Sequence, residues 1–412
     1  MESSALPIPT PGDDDELNDK PSRRRNDGAD SVRVLRPRRA APADAVRPTR
    51  AEVNLAALRH NMRVIARHAG RAKVWPVLKA DGYGHGAPAV ARTLERAGAE
   101  GFCVALLEEA VELRDAGVRA PILVMGGYYG GEYDEIVARN LVPVIYDASH
   151  LEGLARAARA AGHPVDAHLK IDTGMSRLGV RPSDLAAFAA ILPEEVQIKG
   201  LMTHLACAES DDGFTVDQLA RFEEATTKLA SLGIKPTIRH AANSAAVLRG
   251  EALYDAVRPG ISIFGVSPMG TPIAELHPAM RVRSEVVDLR TIEPGESVGY
   301  GATFRASRQT RIATLPMGYA DGLSRQLSNR GHVLCRGVRA PIIGAVSMDM
   351  CMIDVTDVPG VGLRDEVTVL GAAGTSRGEV VSAEEVASHS GSIAWEVLTS
   401  ISRRVPRFYR EP

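Results

Sequence analysis

Val74-Trp75-Pro76-Val77-Leu78, followed at once by Lys79, is the stretch on which the reading of this chain turns. Five apolar residues in a row suit a strand whose two faces are both covered, as in a parallel sheet flanked by helices. Pro76 weakens that strand, because it has no N–H to give to a ladder. Upstream, Leu55, Leu58, Met62 and Ile65 keep helical spacing. Downstream, similar strand-like runs recur at 102–106, 122–125, 141–145, 165–170, 198–204, 237–240 and 255–258. Helical patterns, such as 151–160 and 216–229, lie between most of them. About eight strand–helix units in roughly 230 residues is the content of a (β/α)8 barrel. A doubly wound sheet is the alternative that periodicity leaves open. The barrel is expected over residues 50–279.

Beyond about Pro278 the texture changes. Strand-like runs at 282–289, 310–316, 333–335, 340–346 and 367–370 are joined by Gly/Pro turns with few helices between them. A helical stretch at 382–388 and a basic tail close the chain. The fold class is therefore α/β: a (β/α)8 barrel followed by a smaller, mostly β C-terminal domain at 280–412. Residues 1–49 differ from both. They carry Pro, Arg, Asp and Ser, with an acidic block at 13–16, a basic block at 23–25 and no apolar period. Such a segment buries too little to offset its ordering entropy, and it reads as a disordered, solvated tail. It has no apolar h-region of a secretory signal, and its mixed charge argues against a transit peptide.

Composition sets the remaining bounds. The 412 residues have a formal net charge of -2, with 45% hydrophobic and 24% charged residues. That is an ordinary soluble balance, with no electrostatic case for nucleic acid or a membrane surface. No apolar run approaches the roughly 20 residues of a membrane span. Cys103, Cys207, Cys335 and Cys351 lie far apart with no C-x-x-C pair. They suit reduced thiols in a cytoplasmic protein, with no metal site implied.

In a barrel, chemistry gathers at the C-terminal ends of the strands. Lys79, Lys170, His204, His240 and Arg258 each stand at such an end. Any one is unremarkable, but five cationic or imidazole groups at one mouth suit an anionic ligand. Barrels also tend to hold phosphate at the loops after the last two strands. Here those loops carry Asn243-Ser244 and Arg258-Pro259-Gly260-Ile261. Ser244 offers a hydroxyl, and Gly260 permits close backbone approach; a simple turn reads equally well. Lys79 precedes Ala80-Asp81-Gly82-Tyr83-Gly84-His85-Gly86. Burial would depress its pKa and free its amine for Schiff-base chemistry, whereas a solvated lysine at a strand end would do nothing.

Val77-Leu78-Lys79-Ala80-Asp81-Gly82-Tyr83-Gly84-His85-Gly86 resembles the cofactor-lysine motif of the alanine racemases. The resemblance continues through Leu169-Lys170-Ile171-Asp172-Thr173-Gly174-Met175-Ser176-Arg177-Leu178-Gly179, Thr203-His204, His240 to Ser244, and Arg258 to Ile261. In the second domain it takes in Val298-Gly299-Tyr300-Gly301-Ala302-Thr303, Gly318-Tyr319-Ala320-Asp321-Gly322, Ser347-Met348-Asp349-Met350 and Arg404-Val405-Pro406-Arg407. These motifs keep the family's order from about Thr49 onward.

The resemblance implies a pyridoxal 5'-phosphate enzyme that interconverts L- and D-alanine by a two-base mechanism, supplying D-alanine for peptidoglycan. It implies that Lys79 carries the cofactor as a Schiff base and that Tyr83, Ser244, Gly260 and Ile261 hold its phosphate, near Asn243. Arg177 would bind the phenolic oxygen and the substrate carboxylate, oriented by Lys170, which in the family is often carbamylated. Arg258 would face the pyridine nitrogen, linked to His204. A head-to-tail homodimer is implied, with Tyr300 and Met348 reaching into the partner's site and Tyr319 lining the substrate entrance. Lys79 and Tyr300 would be the two bases. Trp395 stands where the family usually has a tyrosine near the phosphate; it either simply packs or changes phosphate holding and substrate range. Ser176 replaces a common glycine, a change expected to matter little. Three other functions compete: a broader racemase acting on serine, a basic amino-acid decarboxylase and a non-catalytic carrier of the cofactor. Arg258 and the intact Tyr300 motif argue against the last two.

Overall fold

The computed structural model describes residues 46–128, 132–210, 213–373 and 378–411. The expected tail lies outside the described residues as far as residue 45. Its last residues do not behave as a tail. Thr49 is fully buried, with its hydroxyl 2.8 Å from that of Ser284 and donating to Pro316 O at 2.8 Å. Arg47 pairs with the buried carboxylate of Asp321 through both of its terminal nitrogens, at 2.9 and 2.7 Å. Ordered structure thus begins a few residues earlier than composition suggests.

Strand β1 (Arg50–Asn54) leads into a helix, Leu55–Ala69. Asn54 caps it by accepting from Ala57 N at 3.0 Å, and Leu58, Met62 and Ile65 form its buried stripe. Eight parallel strands follow: β2 (Lys73–Val74), β3 (Phe102–Leu106), β4 (Ile122–Gly127), β5 (Val142–Ile145), β6 (Val165–Lys170), β7 (Val196–Met202), β8 (Ile238–His240) and β9 (Ala256–Val257). Each pairs with the next from β3 to β9, and β9 pairs with β2. The ring closes at Val77 and Cys103: Leu78 N donates to Cys103 O at 2.8 Å, and Cys103 N donates to Pro76 O at 2.9 Å. Pro76 explains why β2 is so short. It gives no donor toward β3, but its carbonyl still accepts, so the barrel closes with one bond fewer.

The second domain contains β10 (Met280–Glu285), β11 (Asp288–Ile292), β12 (Ser297–Val298), β13 (Phe304–Arg305), β14 (Thr310–Leu315), β15 (His332–Cys335), β16 (Val338–Ile343), β17 (Cys351–Asp354), β18 (Glu366–Ala372), β19 (Val380–Val381) and β20 (Arg407–Arg410). Its large sheet runs β11-β14-β17-β16-β15-β18-β10-β1-β20. Two expectations are corrected here. Residues 50–54 belong to this sheet and not to the barrel, since β1 pairs antiparallel with β10 and parallel with β20. The closing basic segment is a strand. Arg410 earns its place by donating to Glu52 at 2.7 Å; Glu52 is buried and also accepts from Arg283 at 2.8 Å. A buried carboxylate needs such donors. Helix Ala383–Ser390 packs beside β18, and helix Ala394–Ser400 packs on that helix and on residues Lys79–Tyr83. All the described residues fall in one compact unit, and no helix among them is long and apolar enough to cross a membrane.

Candidate active site

Lys79 follows the first barrel strand and opens an unusual turn. Ala80, Asp81, Gly82 and Tyr83 all have left-handed backbones, with φ of 51, 57, 60 and 51°. For residues other than glycine this costs roughly 1–2 kcal/mol each, so the surroundings must impose it. They do so through four anchors. Glu109 accepts from Ala80 N at 2.6 Å, and Asp81 accepts from Ala87 N at 2.9 Å. His85 Nδ1 donates between Gly82 O and Tyr83 O, at 3.0 and 2.9 Å. Arg407 Nε donates to Gly84 O at 2.9 Å. The turn sends Lys79 and Tyr83 toward one cavity of about 210 Å³.

The side chain of Lys79 is accessible at the cavity mouth. Even so, the protein around its amine withholds enough water to lower its pKa; Arg177 adds repulsion, and Glu109 partly offsets both. Tyr83 is buried, and its pKa is pushed up by burial, so it remains a phenol able to donate. Its hydroxyl lies against Gly260: a Cβ there would sit 2.3 Å from Tyr83 Oη. Ser244 Oγ accepts from Gly260 N at 2.9 Å and from Ser262 Oγ at 3.0 Å. With both lone pairs engaged, its own O–H is left for a ligand. Asn243 caps the short helix that begins at Ser244, accepting from Ala246 N at 3.1 Å. Tyr83, Asn243, Ser244, Gly260 and Ile261 all line the cavity, and together they make a corner of donors suited to an anion.

Arg258 lines the same cavity from below. It is buried, with no carboxylate partner among the described residues. One terminal nitrogen donates to His240 Nδ1 at 2.6 Å; the other donates to Thr203 O at 2.8 Å and Ala241 O at 3.2 Å, and lies 3.5 Å from His204 Nδ1. An arginine only donates, so His240 Nδ1 must accept and its Nε2 carries the proton. That proton goes to His168 Nδ1 at 2.7 Å. Burial, then Arg258, pushes His168 down to about 3 and His240 well below the usual range, so both are neutral. Burial lowers Arg258 itself to about 10, which leaves it charged at neutral pH. His204 is pushed well down by burial, then by Arg258, Lys170, Arg177 and Lys79. Its Nδ1 faces Arg258, so its proton belongs on Nε2.

Lys170 and His240 do not line the cavity. Lys170 is buried beside it and lowered to about 8 by burial, then by Arg177 and Arg258. Arg177 is exposed, and no hydrogen bond engages it among the described residues. Ser176, just before it, has φ of 56°. The glycine-to-serine change therefore falls on a left-handed backbone and costs about 1 kcal/mol, which is more than expected from sequence.

Tyr300, Tyr319 and Met348 stand on the second domain, 75%, 43% and 52% exposed, and none lines the cavity of Lys79. Asp321, which the motif reading left without a role, organises two of them. It accepts from Gly318 N at 3.0 Å as well as from Arg47, and Arg404 lies 3.4 Å away. Tyr319 N and Ala320 N donate to Ser347 O and Met348 O at 3.0 and 3.1 Å. Gly318 is required there, since a Cβ would meet Ser347 O at 2.3 Å. Trp395 packs against the core and also lines the cavity with Lys79 and Ser244. Sequence reasoning missed Glu109, which anchors the turn, and Glu209, at the cavity rim. Neither carries a spacing signal.

A cationic floor, a lysine of lowered pKa and a corner of donors fit an aldehyde cofactor bearing a phosphate, of which pyridoxal phosphate is the one the motifs imply. Known proteins agree. Models described as the N- and C-terminal domains of alanine racemase match residues 53–268 and 279–409. The alanine racemase of Sorangium cellulosum (strain So ce56) is 60% identical over 379 residues, covering 89% of this chain and 100% of that one. The solved alanine racemase of D-cycloserine-producing Streptomyces lavendulae has a TM-score of 0.84 at 34% identity, over 89% of this chain and 98% of its own. That of Bartonella henselae, solved with covalently bound pyridoxal phosphate, has a TM-score of 0.79 at 31% identity, over 88% and 99%. With both domains matched and the strands in barrel order, this chain belongs to the alanine racemase family of pyridoxal-phosphate-dependent isomerases.

Proposed function

We propose that the chain interconverts L- and D-alanine, with Lys79 and Tyr300 as the two bases, in a cytoplasmic homodimer whose sites are shared, and that it supplies D-alanine for peptidoglycan. The observation that carries this reading is the cavity that gathers Lys79, Arg258 and the donors of Tyr83 and Ser244. Pyridoxal phosphate, when bound, supplies the electron sink that makes the α-proton of an attached amino acid removable.

The residues of the chain do the rest. Lys79 would hold the cofactor carbonyl and, once released, take or give a proton on one face. Its lowered pKa favours the neutral amine that attack on the carbonyl and removal of a proton need, and makes the protonated form readier to give the proton back. Tyr83 Oη, Ser244 Oγ and the backbone beside Gly260 and Ile261 would hold the phosphate. Arg258, still charged at neutral pH, would donate to a ring nitrogen placed against it and so would keep that nitrogen unprotonated, limiting side reactions such as transamination. Arg177, which no hydrogen bond engages among the described residues, would take the substrate carboxylate.

The second face needs a base of its own, opposite Lys79. Tyr300 is exposed on the second domain, and the partner subunit's Tyr300 would serve here. A free tyrosine has a pKa of about 10, so it needs help as a base. His204, with Nε2–H directed away from Arg258, can donate to the phenolic oxygen and favour its deprotonated form. Met348 would come with the partner, and Tyr319 would line the way in.

Incubation with L-alanine and with L-serine in deuterated water tests the activity. D-alanine carrying α-deuterium, with serine far slower, is expected. Comparable serine turnover would make the protein a broad racemase and implicate Trp395. Mixing inactive Lys79→Ala and Tyr300→Phe proteins tests the sharing of sites. Restored turnover is expected from mixed dimers, and its absence would place both bases in one chain.

A further inference from the structure

A second cavity, of about 610 Å³, lies in the second domain, and Lys79 does not line it. His332 on β15 and Glu385 and His389 on helix Ala383–Ser390 stand on its wall. Their donor atoms lie within 4.8 Å of one another, and all three residues are half-buried. The four-residue spacing puts Glu385 and His389 on one helix face, and the two imidazole rings are 5.7 Å apart at 54°, so they are not stacked. Among the described residues, His332 Nδ1 is buried with no hydrogen-bond partner. Such an atom calls for an explanation, and the alanine racemisation proposed above uses none of the three residues.

We propose that His332, Glu385 and His389 form a binding site for a divalent transition-metal ion of the zinc type. Two imidazole nitrogens and one carboxylate oxygen select zinc, copper or nickel over magnesium or calcium, which want oxygen alone. Three protein ligands leave a fourth position for water from the cavity. Zinc holds nitrogen at about 2.0–2.1 Å, which places tetrahedral ligand atoms about 3.4 Å apart. The three donors need only to draw inward by about an ångström, a shift that side-chain rotation provides.

Arg339 is the competitor, since it grips the Glu385 carboxylate with both terminal nitrogens. It also has Glu379 at 3.4 Å and Val380 O at 3.1 Å. One oxygen of Glu385 can therefore turn to an ion without stranding the guanidinium. Occupancy would tie β15 to the helix preceding the one that bears Trp395.

The test is titration of the chelator-stripped holoenzyme with cobalt(II), read by the visible bands of the four-coordinate ion, then displaced with zinc. One saturable equivalent is expected. His332→Gln and His389→Gln should each weaken it by more than the roughly 10- to 100-fold that changes outside the ligand set cost. Racemisation should continue in both. Bands that persist in both variants place the ion on the cofactor or elsewhere, and absent bands in the unaltered protein refute the site. A second measurement needs no variant: zinc should shield His332 and His389 from diethyl pyrocarbonate, as mapped by mass spectrometry. Equal modification with and without zinc overturns the proposal.

Discussion

Gly260→Ala is the substitution whose outcome the geometry specifies most closely. The new Cβ would stand 2.3 Å from Tyr83 Oη and 3.0 Å from its Cζ, about an ångström inside van der Waals contact. Tyr83 is hemmed in. Its backbone is left-handed, its ring lies 5.0 Å from that of Phe264, and it is 5% exposed. The one direction in which its hydroxyl can yield is into the cavity, the space a cofactor phosphate would take. The clash should therefore fall on cofactor binding and spare the apoprotein. Overpacking costs about 1–3 kcal/mol, which corresponds to about 5- to 150-fold weaker cofactor binding. The assay is reconstitution of apoenzyme with pyridoxal phosphate, followed by absorbance, beside a thermal melt of the apoprotein. The melt should hardly move. Tyr83→Phe deletes the clashing oxygen, so the alanine substitution should cost less in that background, with a coupling of about 0.5–3 kcal/mol. An undiminished cost in the Tyr83→Phe background would refute the reasoning.

Three further outcomes are expected. Asp321→Asn removes the anion that holds Arg47 and Arg404; breaking a buried pair costs about 3–5 kcal/mol, and the half-solvated Arg47 places this one near the lower figure, as a urea unfolding curve would read. Arg177→Leu removes a cation that lowers the Lys79 pKa, so that pKa should rise; the pH of half-maximal cofactor capture by apoenzyme should move upward, and an unmoved midpoint would contradict the assignment. His85 has a folded pKa of about 4 against about 6.5 unfolded, so the unfolded chain binds the extra proton and stability falls as pH drops from about 6.5 to 4, by up to about 3 kcal/mol. His85→Phe should shrink the loss of stability in that window, as unfolding curves at pH 7 and 4.5 would show.

What the sequence reveals and what it hides separate along physical lines. Residues 102–106 and 165–170 read as strands with the bounds they have in the structure: the first is an unbroken apolar run, and the second sets apolar Val165, Ala167 and Leu169 at alternate positions. β1 and β20 are hidden. Each is short, and their pairing joins residues some 350 positions apart, which no local period records. Lys79, His204 and Arg258 are legible as neighbours because barrel topology brings strand ends together. The turn that aims Lys79 is not legible, because its left-handed backbone is imposed by Glu109, His85 and Arg407. Asp321 was in view within its motif, but its role depends on Arg47, in a stretch whose composition resembles a tail.

The bond from Arg407 to Gly84 has a consequence for the order in which the molecule is made. Lys79 is synthesised early, and the barrel around it is complete by about residue 260. One of the four anchors of its turn, Arg407, lies 323 positions beyond the Gly84 carbonyl it holds. Until Arg407 is made, nothing from the C-terminal strand holds Gly84, and β1 lacks its neighbour β20. A chain stopped just short of residue 407 would thus keep the Glu109, Asp81 and His85 anchors of the Lys79 turn and lack the fourth, a barrel whose turn is less firmly held.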